Sequence, residues 1–66
     1  MRIETLSRMA DQIAVNNEAF PDEEATRRVA EHLHAFWTPA MRRDLTAYVI
    51  EHPTNVSPVV RAALEM

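Results

Sequence analysis

Apolar side chains recur along this chain at spacings of three and four residues, and strict alternation is never sustained. That period predicts α-helices rather than strands. A first helix is expected over residues 3–17. Steps of about 100° per residue group Ile3, Leu6, Met9, Ala10 and Ile13 on one face. Asn17 falls on the same face and Val15 on the opposite one. Asn17 is expected to close the helix, because asparagine tolerates the left-handed conformation that ends helices. Glu4 and Arg8 stand four residues apart and predict a supporting pair on the wet side.

Phe20-Pro21-Asp22-Glu23-Glu24 predicts the start of a second helix, with Asp22 as its cap and the acids at the positive end of its dipole. Ala25, Val29, Leu33, Phe36 and Trp37 form its apolar stripe. Glu23 with Arg27, and Glu24 with Arg28, predict two ion pairs along its surface. Thr38-Pro39 reads as a cap followed by a proline at the first helical position, where a missing N–H costs nothing. Met41, Leu45, Tyr48 and Val49 form the third stripe, and Ile50 points away from it. His52-Pro53-Thr54-Asn55 is a turn. Ser57-Pro58 then repeats the cap-and-proline device, and Val59, Val60, Ala63 and Leu64 face inward from a short last helix. The pattern predicts one all-α domain over residues 1–66, a small compact bundle of four helices. Its short connections suggest mostly antiparallel neighbours.

Composition narrows the chemistry. With 66 residues the chain supports one core. A domain of this size buries only about 60% of the surface its unfolded chain exposes, so it gains from a partner. There is no cysteine, which removes disulfides and thiolate metal sites, and no glycine, which removes glycine-rich phosphate loops. All seven cationic side chains are arginine, and the net charge is −3. Arginine suits planar, bidentate contacts to carboxylates. No apolar run is long enough to span a membrane. The amphipathic, acid-bearing start lacks the apolar block of a secretory signal, so a cytoplasmic protein is expected.

Candidate reactive groups do not converge. His32 and His34 lie about 200° apart around a helix and cannot share a metal ion on one face; His52 lies in a turn. Ser57 is explained as a cap, and Ser7 has no evident base. No arrangement of nucleophile, base and oxyanion donors is apparent, so neither catalysis nor a bound cofactor is expected of this chain. The helix that opens with Thr38-Pro39 and carries Arg42-Arg43 suggests a second reading, a small helix-turn-helix-like DNA-binding regulator. The negative charge and the absence of a wing argue against it. Arg42 and Arg43 lie near the start of a helix, where cations are disfavoured, and neither has an acid four residues before it. A solvated surface position explains them as well as a partner carboxylate or stacking on an aromatic ring does. Trp37, Met41, Arg42 and Arg43 are the candidate partner-binding residues, with Trp37 alternatively part of the core.

Several segments, taken in order, resemble a known family. Leu6-Ser7-Arg8-Met9-Ala10-Asp11-Gln12-Ile13-Ala14 resembles an opening helix of the form L-x-x-M-A-N-Q-I-A. Val29-Ala30-Glu31-His32-Leu33 followed by Phe36-Trp37-Thr38-Pro39-Ala40-Met41-Arg42 resembles V-A-x-H-L-x-x-F-W-x-P-x-M-R. Pro21-Asp22 with Glu24-Ala25, and Ser57-Pro58-Val59-Val60 with Ala63-Leu64, continue the likeness. The family is the delta subunit of soluble, NAD-dependent, molybdenum-containing formate dehydrogenases. Asn16-Asn17, Ala40 and the turn His52–Asn55 depart from its usual pattern. The resemblance implies a non-catalytic accessory subunit that supports assembly, stability or cofactor loading. Its partner would be the large catalytic subunit, and the partner subunits would carry molybdopterin guanine dinucleotide, iron–sulfur clusters, FMN and the NAD site. Self-association of the isolated chain is a further alternative.

Overall fold

In a computed structural model, which describes residues 2–66, the chain forms four helices: α1 (Ile3–Asn16), α2 (Asp22–Phe36), α3 (Pro39–Glu51) and α4 (Pro58–Leu64). A 3-10 turn, Pro53–Asn55, joins α3 to α4. The all-α bundle read from the periodicity is the fold observed. Leu6, Val29, Leu33, Leu45 and Val60 are the largest fully buried side chains, and each helix supplies at least one. Full burial of one such side chain stabilises the fold by roughly 1.5–3 kcal/mol. Val56, between the 3-10 turn and α4, also lies in the core.

Packing follows chain order at α1–α2 and α3–α4 but not at α2–α3. α1 touches all three others, and α4, only seven residues long, lies chiefly against α2. α2 and α3 have little direct packing although two residues join them. Trp37 and Thr38 are both extended, with ψ of 143° and 157°. Pro39 disfavours helical backbone in the residue before it, so the chain turns away instead of folding back as a hairpin. The expectation of antiparallel sequence neighbours fails at this junction for that reason.

Helix ends show how a glycine-free chain stops. Asn17 closes α1, but not in the left-handed region: its φ is −112°. Its side-chain amide donates instead to the Ile13 carbonyl at 2.9 Å. On α1 the buried arc includes Ser7, whereas Met9 is 36% exposed. α2 is capped at Pro21, and Asp22 is its first helical residue with no side-chain cap bond. Asp22, Glu23 and Glu24 still place negative charge at the positive helix end. Phe36, read as part of the α2 stripe, is 74% exposed. Because α3 packs little on α2, Phe36 is left uncovered, and it stacks on His32 with ring centroids 4.8 Å apart.

Among the described residues the ion pairs all lie on α2. Glu24 holds Arg27 at 2.8 Å and Arg28 at 2.7 Å, and Arg27 also reaches Glu31 at 2.6 Å. Glu24–Arg28 forms as expected. Glu23–Arg27 does not, because Arg27 turns to two other carboxylates, and the Glu4–Arg8 pair is not made. Hydrogen bonds from Arg28 and then Arg27 hold the Glu24 carboxyl below its ordinary value of 4.5. A depressed carboxyl stabilises the fold above its unfolded pKa, and that contribution is lost as pH falls through the folded value. An NMR titration should therefore give Glu24 a midpoint below 4.5, returning to the ordinary range in an Arg27→Ala/Arg28→Ala variant. A wild-type midpoint at the ordinary value would contradict the bonded network.

Candidate partner-docking surface

The stretch Phe36–Arg43 builds the α2–α3 junction. Thr38 Oγ1 accepts from the Met41 N–H at 3.2 Å, and Pro39 is the first helical residue, so the predicted cap is present. Such a cap contributes about 1 kcal/mol. Trp37 is 5% exposed and belongs to the core cluster, with Met41 half-buried against it. The indole, a candidate for partner contact on its sequence position, is thus inside the fold.

Arg42 also has a local role that its position in the sequence conceals. Its guanidinium donates to the Trp37 carbonyl at 2.8 Å and to the Leu33 carbonyl at 3.3 Å. The Leu33 carbonyl already accepts the Trp37 N–H at 3.0 Å, so Arg42 adds a second, longer bond there, and its shorter bond goes to the Trp37 carbonyl just past the end of α2. A cation there is stabilised by the negative helix end. The same residue that is unfavourable at the start of α3 is therefore favourable at the end of α2. Arg42 needs no partner carboxylate to explain it, and one of the two arginines of the DNA-reading alternative is taken up internally. Arg43 is exposed and forms no side-chain hydrogen bond or ion pair among the described residues. Of the four candidates it alone is fully available to a partner.

A second junction leaves no mark in the periodic pattern. Ser57 Oγ accepts from the Val60 N–H at 3.3 Å, as its cap role predicts. The backbone N–H of Ser57 also donates to Asp11 Oδ1 at 3.1 Å, joining the start of α4 to α1 across 46 residues. Arg61 of α4 donates to the Pro53 carbonyl. Together they seat the short last helix.

The remaining surface carries isolated apolar groups. Ile50 is 77% exposed and Val15 52%, both where the stripes leave them. Ile50 lines a groove of about 620 Å³ between α3 and α4, with Arg61 and Glu65. Val15 and Phe20 line a smaller one of about 350 Å³ where α1, α2 and α4 meet. Phe20 is stacked under the Arg28 guanidinium, 3.9 Å from its ring centroid, a contact that single-helix patterns cannot show. Among the described residues, no group of three or more His, Cys, Asp or Glu side chains could hold a metal ion, and no helix is long and apolar enough to cross a membrane. What the surface can do chemically is pair charge and cover apolar area.

Comparison with known proteins gives one finding. The family model described as NADH-dependent formate dehydrogenase delta subunit FdsD matches residues 5–64 of the 66. No curated protein and no solved structure matches. The match spans all four helices and both cap-and-proline junctions, so the chain belongs to the delta-subunit family of NADH-dependent formate dehydrogenases.

Proposed function

We propose that this chain is a non-catalytic accessory subunit of an NADH-dependent formate dehydrogenase, acting in the cytoplasm. It docks on the large catalytic subunit and supports assembly, stability or cofactor loading of the complex. On this reading molybdopterin guanine dinucleotide, the iron–sulfur clusters, FMN and NAD are held by the partner subunits; this chain has no cysteine with which to ligate a cluster. The observation that carries the reading is the family match over residues 5–64. The small core and the unpaired Arg43 support it, since a domain of this size gains stability from a partner. Arg43, exposed on the first turns of α3, is the contact residue favoured from the α2–α3 junction; Trp37 and Arg42 support that junction from within.

The test is co-purification. The tagged chain is expected to recover a large protein bearing molybdenum and iron, and its deletion to lower formate oxidation or the metal content of the large subunit. Recovery of the chain alone, with formate oxidation unchanged after deletion, would sink the proposal.

A further inference from the structure

The groove between the end of α1, the start of α2 and the start of α4 combines an apolar floor with a one-signed rim. Val15 and Phe20 are 52% and 38% exposed, and Ala14, Ala25 and Val59 complete the floor. Asp11, Glu18 and Asp22 also line it, and no cation does. Asp11 accepts the Ser57 N–H, but Glu18 and Asp22 form no side-chain hydrogen bond or ion pair among the described residues. The contrast with α2 is local: a few residues further on, Glu24 and Glu31 are matched by Arg27 and Arg28. Arg28, which stacks on Phe20, is itself bound to Glu24. The α3–α4 groove differs again, since Arg61 and Glu65 give it one charge of each sign.

We propose that this acid-rimmed groove is a docking site for a basic, apolar-anchored segment of the large formate dehydrogenase subunit. An aliphatic or aromatic side chain would enter between Val15 and Phe20, and flanking arginine or lysine residues would meet Glu18 and Asp22. Charge complementarity identifies the occupant. Unpaired carboxylates around exposed apolar groups attract cations and repel acidic partners, which sets which segment binds more than how tightly it binds. A volume of about 350 Å³ admits one or two side chains rather than a whole helix. The inference rests on the subunit reading above and adds the site and the chemistry of its partner.

The test uses tagged chains co-expressed with the catalytic subunits and washed at rising salt. Glu18→Arg is expected to lower recovery of the large subunit at least tenfold and to abolish the salt dependence seen with wild type. Val15→Gln is expected to weaken recovery several-fold while keeping that salt dependence. Both positions are exposed, and unchanged thermal melts separate lost docking from lost folding. A photo-crosslinker at position 15 is expected to mark a segment containing arginine or lysine. Wild-type recovery by both variants, or a crosslink to an acidic segment, would overturn the groove and leave the subunit reading standing. If wild type recovers no large subunit, both fall. If the variants only convert a self-associated chain to monomer, with recovery of the large subunit intact, the groove joins copies of this chain and the proposal is overturned.

Discussion

Trp37→Ala is expected to leave the isolated chain largely unfolded at room temperature. Truncating a buried tryptophan typically costs about 3–5 kcal/mol, through lost transfer energy and the cavity left behind. A core in a chain this short rarely supplies more than roughly 3–5 kcal/mol in total. Trp37 also sits where α2 stops and the chain turns into Thr38, so its loss frees the junction as well as the core. The measurement is a thermal melt followed by far-ultraviolet circular dichroism. A variant that melts like wild type but no longer recovers the large subunit would show instead that Trp37 is an interface residue. With the partner present the folding loss should be softened, because anything that binds only the folded state shifts the balance towards it.

Arg42→Ala is expected to destabilise the chain by about 1–2 kcal/mol, with Arg43→Ala within about 0.5 kcal/mol of wild type. Hydrogen bonds from a charged donor contribute roughly 1.5–3 kcal/mol, and the value is discounted because the guanidinium is only half-buried. Both bonds leave one guanidinium nitrogen, Nη1, so Arg42→Lys should restore part of the loss: an ammonium supplies the charge and the donors but not the rigid plane that aims them. Recovery of the large subunit should show the opposite ranking, with Arg43→Ala the more damaging at equal folding. Denaturant titration and co-purification of the same variants distinguish the two arginines. Equal melts for Arg42→Ala and Arg43→Ala would contradict the cap seen at the Leu33 and Trp37 carbonyls.

Features written into a few adjacent residues are legible in the amino-acid code itself. Thr38-Pro39 and Ser57-Pro58 each contain their whole mechanism, a side-chain acceptor followed by a residue with no N–H, and both caps form. The stripes also hold where neighbouring helices cover them, as at Leu33 and Leu45. Phe36 shows the limit. Its angular position agrees with Val29, but angle says nothing about whether another helix lies opposite, and there none does. Arg42 is opaque for a related reason: its acceptors are backbone carbonyls of a different helix, and backbone groups leave no mark in the residue code. Asp11 and Ser57 meet across 46 positions, and no periodic pattern links them. On the candidate surface, the availability of Arg43 and the apolar-stripe position of Trp37 are readable from sequence, and the internal role of Arg42 is not.

Every described residue avoids positive φ, and the chain has no glycine at all. Helix ends are instead closed by the Asn17 amide, the Arg42 guanidinium and proline-led starts. The consequence lies in the denatured state. An average composition of about 7% glycine would put roughly four or five in a chain of this length. Replacing a glycine by alanine at a compatible site stabilises by roughly 0.4–1 kcal/mol, because the unfolded chain has fewer conformations to lose. A protein too small to build a large core thus gains by starting from a stiffer random coil.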